Sequence, residues 1–396
     1  MSSRISVPLL VRALGGVVVA CALSALGCQS LLGVEELPEP CAQDWWDCRY
    51  PTRWRLTIDN AGGSEDLQGV PVLVRFSAPQ QQGFNQDGSD LVFVADDQQT
   101  VLAHEIDRWD PQGTSTVWVR LPHIGASSTD GTFFLYYGYT DAYYRRDDSE
   151  VWGDDYELVL HFNNFFDSQR VVRDSSRHRR LAEVVGTPTR VPDGVIGWGI
   201  EFDGSPDQFV RLESLRELEP APGAPRTLEV WVKTDQPQQG AIFFKENSCR
   251  GWSLTLDGAS RLHGRVARAG SECMNSYQAS EVSVAPIHPG IWHYATVVAT
   301  NDPATSTRVD VSMYWEDGAV ASDVETASRD DIADNTLAND PGYIGVDFSA
   351  GNPFVGVLDE LRISSSARSA EWIAAQHASM SGALVVFGEI EEREQP

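Results

Sequence analysis

Gly356-Val357-Leu358-Asp359-Glu360-Leu361-Arg362-Ile363 and Thr227-Leu228-Glu229-Val230-Trp231-Val232 decide the fold. Each is a short apolar run broken by charge, which is the pattern of a strand and not of a helix. Working outward, segments of the same kind recur in both directions. Leu158 to Phe162, Gly199 to Phe202 and Phe209 to Leu212 precede the pair. Ala241 to Phe244, Trp252 to Leu256, Trp292 to Val298, Val309 to Trp315 and Gly342 to Gly345 lie between its two members. A second set comes earlier: Arg53 to Ile58, Gly69 to Phe76, Leu91 to Val94, Thr116 to Val119 and Thr132 to Tyr137. Gly, Asp and Asn fill the gaps. Alternation in most of these segments means one buried face and one wet face. The expected fold class is all-β, with two tandem antiparallel β-sandwich domains. Only Ser369-Ala370-Glu371-Trp372-Ile373-Ala374-Ala375-Gln376-His377 reads as a helix, with Ser369 as its N-cap. No fixed short repeat is visible.

The first 28 residues follow another logic. Arg4 and Arg12 are the only charges, Ala13 to Leu26 are apolar or small, and the stretch closes on Ser24-Ala25-Leu26-Gly27-Cys28. The run is too short for a transmembrane helix and reads as the removable core of a secretory signal. Its Gly-Cys end resembles the bacterial lipobox, although Ala25 replaces the commoner leucine. That resemblance implies a cut after residue 27 and acylation of Cys28. Each buried methylene of the acyl chains would then add about 0.8 kcal/mol of membrane attachment. Gln29 in place of Asp implies an outer-membrane lipoprotein of the cell envelope. The expected organisation is a signal peptide at 1–27, an acylated tether with a small disulfide loop at 28–51 and a first sandwich at 52–144. A hinge at 145–155, a second sandwich at 156–390 and an acidic tail at 391–396 follow.

The formal charge is −27, and loss of Arg4 and Arg12 takes it to −29. Lys233 and Lys245 are the only lysines. Such a surface repels phosphates and anionic lipid, which excludes nucleic acid as a partner and leaves the anchor as the only membrane contact. Besides Cys21 and Cys28, four cysteines remain. In an exported chain an even number reads as disulfides. Proximity in sequence favours Cys41–Cys48 and Cys249–Cys273 among the three possible connectivities. A zinc site is the rival reading, but the four lack the CxxC spacing of zinc ribbons.

Two families are resembled. Residues 52–140 resemble the bacterial surface domain DUF2341, through Trp54-Arg55, Ile58-Asp59-Asn60, Gly88-Ser89-Asp90-Leu91-Val92-Phe93, His104-Glu105-Ile106-Asp107-Arg108-Trp109-Asp110, Trp118-Val119-Arg120-Leu121-Pro122 and Leu135-Tyr136-Tyr137-Gly138-Tyr139. That family implies a fold and a context but no chemistry. Residues 156–390 resemble the concanavalin A-like, laminin-G-type (LamG) jelly roll. Gly199-Ile200-Glu201-Phe202-Asp203-Gly204, the two opening stretches, Trp292-His293-Tyr294, Tyr314-Trp315-Glu316-Asp317-Gly318 and the helix after Ser369 carry the likeness. The resemblance implies a binding module in most relatives and a glycosidase in some. Asp174-Ser175-Ser176 departs from the relatives' Asp-Ser-Ser-Gly-Asn-Gly turn, because Arg177-His178-Arg179-Arg180 follows.

Glu105-Ile106-Asp107-Arg108-Trp109-Asp110 is the sharpest enzymatic candidate. It is similar to the Glu-x-Asp-x-x-Glu strand of jelly-roll glycosidases, with Glu105 and Asp107 on one strand face. Asp110 is one methylene short, and the stretch lies outside the jelly roll. The plainer expectation is an edge strand with wet carboxylates and no catalytic residue in the chain. There is no Gly-x-Ser-x-Gly elbow and no His-Glu-x-x-His pair. The jelly-roll resemblance implies one structural calcium, with Asp359 as ligand and Asp203 adding a second. Trp45 and Trp46 read as exposed tether residues; Trp231, Trp252, Trp292 and Trp315 read as core. The expected function is noncatalytic recognition or adhesion toward a polysaccharide or a surface protein. The alternatives are a glycoside-active enzyme or a structural spacer.

Overall fold

The computed structural model describes residues 44–393, apart from 143–147, 164–169, 214–215, 219–224, 248–249, 270–276, 302–307, 316–318, 322–325 and 329–339. The signal, Cys28, Cys41, Cys249 and Cys273 lie outside the described residues. Cys48 lies within them and is disulfide-bonded.

Among the described residues, the jelly roll consists of a nine-stranded and an eight-stranded antiparallel sheet. In the first, Val355–Ser364 lies between Gly199–Asp203 and Arg226–Lys233, and His293–Asn301 and Arg308–Trp315 continue it. Tyr156–Leu160 also pairs with Val355–Ser364. The second sheet is centred on Arg250–Leu256, Gly240–Asn247, Gly342–Ile344 and Phe209–Leu212. Leu228, Val230, Val232, Ala295, Val297, Leu358, Leu361 and Ile363 pack from one sheet against Ile242, Phe243, Trp252, Leu254 and Ile344 of the other. At Gly356 the backbone has φ 144°, and a Cβ would stand 2.2 Å from the Lys233 carbonyl oxygen. Only glycine fits where these two strands close together.

The first sandwich has a five-stranded sheet, running Val385–Glu392, Thr52–Ile58, Gly131–Tyr137, Val92–Ala95 and Val101–Leu102. Its other sheet has three strands, Leu67–Ser77, Thr114–Ile124 and His104–Arg108. Three expectations change here. First, the last strand leaves the jelly roll and pairs with the first strand of the chain, from Ile58↔Val385 to Thr52↔Glu392. Glu391 is therefore a strand residue bonded to Arg53 at 2.5 Å, not part of a tail. Second, Asp148–Trp152, placed in a hinge by its charges, is a 3-10 helix with Val151 and Trp152 buried. Third, Trp45 is buried against Tyr136 and under the Arg53 guanidinium, and Trp46 packs on Tyr50 and Tyr136.

The two sandwiches also share a core. One hydrophobic cluster runs from Leu56, Val72 and Val119 through Trp118 and Trp152 to Trp231, Tyr294, Val298 and Trp372. Asp44–Pro396 accordingly form one compact unit. This explains why Arg226 to Val232 are all buried, with no wet face. The helix Ala370–Ser381 reinforces the joint. Ser369 caps it by accepting from the Trp372 amide, and Gly382 ends it in the left-handed conformation. Ser379 Oγ takes the Leu73 amide at 2.7 Å.

Trp118→Ala removes a fully buried indole at the joint and should cost about 3–5 kcal/mol. Urea unfolding followed by fluorescence and circular dichroism should show one transition for the parent protein, shifted as a whole in the variant. Two separate transitions in the parent would contradict a shared core.

Candidate functional site

In Val355–Ser364 strand alternation fails at Asp359-Glu360, and the failure builds a highly charged region of the interior. The ladder between Arg226–Lys233 and Val355–Ser364 shifts register between Glu229↔Arg362 and Trp231↔Asp359. Glu360 has φ 53°, a left-handed conformation for a residue with a Cβ. The extra residue is a β-bulge, which lets neighbouring side chains turn to the same side. Leu358, Leu361 and Ile363 face the jelly-roll core, while Asp359, Glu360 and Arg362 project toward the first sandwich with no exposure.

The first sandwich meets them with Glu105 and Asp107. These two share a strand face, as the sequence implies, but they are not wet. The Asp107 side chain is 1% exposed and that of Glu105 12%. Glu105 accepts from Trp152 Nε1 at 2.7 Å and from Ser175 Oγ at 2.6 Å. Asp107 accepts from Thr116 Oγ1 at 3.0 Å and from Asn163 Nδ2. Asn163 Oδ1 in turn holds the Trp198 amide at 2.7 Å. His161, at the end of the strand Tyr156–Leu160, stands between the domains. Its Nδ1 is 2.7 Å from Glu360 Oε1 and 3.8 Å from Asp107 Oδ1, and its Nε2 is 3.6 Å from Glu105 Oε2.

Arg362 closes the group. It donates to Glu360 Oε2 at 2.6 Å and to Gln376 Oε1 at 2.9 Å, and Gln376 donates to the Pro71 carbonyl. Its guanidinium lies over Trp118 and Trp152, 4.4 and 4.8 Å from their ring centroids. Burial pushes the Asp107 carboxyl up to about 7, against the pull of His161. Burial and Glu360 raise Asp359 well above the carboxylate range. Burial alone would lower His161, but Glu360 and Asp107 hold it well above its ordinary value. Burial alone would raise Glu360, and His161 with Arg362 bring it below. The region is a charge network on which the two sandwiches are joined.

Asp359 and Asp203 are not brought together. Asp203 is exposed, caps a turn by accepting from the Ser205 amide, and pairs with Val355, four residues from Asp359 along the strand. Four residues of strand span roughly 13 Å. Asp359 instead accepts from the Ile196 amide at 2.9 Å. Sequence reasoning missed His161, Glu360 and Arg362. The signal was present in Leu358-Asp359-Glu360-Leu361, where two charges between two leucines break the period of two.

A second arrangement lies on the outer face of the eight-stranded sheet. Phe244 pairs with Tyr343, and Tyr343 with Arg211. Phe209 meets the Tyr343 ring edge-on at 5.8 Å. Phe209, Tyr343 and Phe244 are each partly exposed and form an aromatic row. Arg211 pairs with Glu183 at one end of it. At the other end a cleft of about 180 Å³ is lined by Phe244, Ser253, Thr255, His263, Arg265 and Asn352. Asp257 holds His263 Nε2 at 3.1 Å, and Glu246 holds Arg265 at 3.4 Å. Phe348, 58% exposed, follows Asp347 at the rim.

Residues 87–176 match the family model of a domain of unknown function, DUF2341, and residues 203–374 match that of the concanavalin A-like lectin/glucanases superfamily. The first match crosses the joint and contains Glu105, Asp107, Trp152, His161, Asn163 and Ser175. No curated protein matches. Among solved structures, the chain is similar to the binding domain of Paraclostridial Mosquitocidal Protein 1, at 14% identity and a TM-score of 0.44, over 57% of this chain and 52% of that one. It is also similar to domain 4 of AbnA, a GH43 extracellular arabinanase from Geobacillus stearothermophilus, in complex with arabinotriose, at 18% identity and a TM-score of 0.39, over 56% of this chain and 98% of that one. The binding domain of Botulinum Neurotoxin DC in complex with SialylT gives 12% and 0.40, over 57% and 52%. The chain thus spans about half the length of the first and third of these.

Removing Arg362 leaves buried Glu360 with His161 as its remaining cationic partner. Arg362→Leu should cost about 3–5 kcal/mol, and adding Glu360→Gln should restore part of that, because the double change removes the stranded charge. Chemical denaturation of the three variants checks this. A double variant less stable than Arg362→Leu would show that Glu360 is not the stranded charge.

Proposed function

We propose that the chain is a noncatalytic recognition module that binds polysaccharide on the open face of the eight-stranded sheet. The observation that carries this reading is the aromatic row Phe209–Tyr343–Phe244, flanked by fixed hydrogen-bonding side chains. Flat rings cover the apolar faces of sugars, while Arg, His, Asn and Ser meet their hydroxyls. The adjoining cleft, at about 180 Å³, is smaller than the roughly 300 Å³ at which pockets for drug-sized ligands begin. It suits one unit of an extended chain better than a whole small molecule.

The burial of Glu105 and Asp107 supports recognition over hydrolysis. A glycosidase needs its two carboxylates flanking a sugar. Here both face the joint, and each carboxylate oxygen already accepts a hydrogen bond. We further propose that the mature protein begins at Cys28 and is held by acyl chains at the outer membrane of the cell envelope. The signal-like residues before Cys28 support this. Among the described residues, no helix is long and apolar enough to cross a membrane.

A glycan array probed with the Cys28→Ser chain tests the recognition reading. Tyr343→Ala should weaken binding to the best glycan roughly 2- to 12-fold, equivalent to about 0.5–1.5 kcal/mol for one lost aromatic contact. Glu105→Gln should leave it unchanged. No glycan bound at millimolar concentration would favour a surface protein or a spacer role. The anchor is tested separately: Cys28→Ser should move the protein from the membrane to the soluble fraction.

A further inference from the structure

We infer that Asp107, His161 and Glu360 form a binding site for one zinc-class divalent cation, which pins the first sandwich to the jelly roll. One ligand atom of each lies within 4.8 Å of the others. The known pairs are 2.7 Å for His161 Nδ1 to Glu360 Oε1 and 3.8 Å for His161 Nδ1 to Asp107 Oδ1. Ligands about 2.0–2.2 Å from a tetrahedral zinc stand roughly 3.3–3.6 Å from one another, so small side-chain shifts suffice.

The second ring nitrogen gives an independent indication. His161 is 2% exposed, and its Nε2 makes no hydrogen bond. It points at Glu105 Oε2, 3.6 Å away, and that carboxylate is itself held by Trp152 and Ser175. A metal-bound imidazole commonly directs its free N–H at a carboxylate, which fixes the tautomer. Here Nδ1 faces the two candidate ligands and Nε2 faces the carboxylate.

Charge supports the geometry: three carboxylates, Glu105, Asp107 and Glu360, surround the single imidazole of His161. The donor set chooses the metal class: an imidazole with two carboxylates suits zinc, cobalt or manganese, whereas calcium takes six to eight oxygens. The three ligands come from strands of both sandwiches, so the ion would act as a clamp between them. Their burial implies that it enters on folding and leaves slowly.

The test is refolding of the full, disulfide-oxidised chain with cobalt, zinc or manganese, followed by dialysis and elemental analysis. One ion per chain is expected, with cobalt d–d bands and no thiolate charge-transfer band. Asp107→Asn and His161→Gln should each lower the metal content at least tenfold, while Glu371→Gln, in the first turn of the helix Ala370–Ser381, should not. Loading should raise the melting temperature of the parent and leave Asp107→Asn unmoved. Fewer than about 0.1 ions per parent chain, full loading of the Asp107→Asn variant, or a thiolate band would each overturn the proposal. The parent's own stoichiometry decides the matter even if a variant fails to fold.

Discussion

The bulge at Glu360 is the constraint on which the rest of the structure depends. Without it, strict alternation would send Glu360 toward the jelly-roll core beside Leu358, where nothing could compensate a carboxylate. With it, Asp359, Glu360 and Arg362 all leave the core on one side. A sheet face with three ionisable groups cannot be covered by apolar strands alone. It needs a partner that brings polar and aromatic groups, and the first sandwich brings the two tryptophans under the guanidinium and the Pro71 carbonyl for Gln376. The union of the domains follows from the burial of these charges as much as from hydrophobic area.

Arg362 suits this position for a physical reason. Its planar guanidinium donates in the ring plane to Glu360 and Gln376 while its faces rest near Trp118 and Trp152. A lysine offers a point charge and no flat face, so it could not satisfy the carboxylate and the indoles together. Buried ion pairs often add little net stability over a well-packed apolar replacement. Their stronger effect is on which surfaces can meet. A wrongly docked first sandwich would leave the Arg362 guanidinium without Trp118 and Trp152, and Gln376 without the Pro71 carbonyl. The network therefore specifies one arrangement of the two sandwiches.

Much of the fold was legible in the sequence because strands betray themselves locally. The segments Arg53 to Ile58, Trp252 to Leu256 and Val357 to Ile363 form where their patterns place them, and Ser369 caps the helix Ala370–Ser381. What was not legible depends on contacts distant in sequence. Glu105 and Asp107 read as wet because one strand cannot reveal that Glu360, some 250 residues on, will cover it. Asp148 to Trp152 read as a hinge because residues 145–155 hold five acidic side chains against Val151 and Trp152, yet the burial of those two outweighs them. Val385 to Ile390 read as jelly roll by continuity and Glu391 and Glu392 as tail, and only ladder pairing with Thr52 to Ile58 places them in the first sandwich. The candidate ligand surface was still less visible. Phe209, Phe244 and Tyr343 lie on three strands, and no spacing rule connects them.

The division of labour between the two sheets follows from what each face touches. The nine-stranded sheet is covered on both sides, by its partner sheet within and by the first sandwich without. The buried side chains of Arg226–Val232 and Leu358–Ser364 are committed to packing or to the charge network, which leaves them nothing to offer a ligand. The outer face of the eight-stranded sheet has partly exposed aromatics and polar groups held in place by neighbours, such as His263 by Asp257 and Arg265 by Glu246. Groups held that way lose little freedom on binding, which favours recognition. The first sandwich thus stiffens the jelly roll from behind and leaves the opposite sheet facing outward. A rigid back and a preorganised front would suit the recognition role proposed for that sheet.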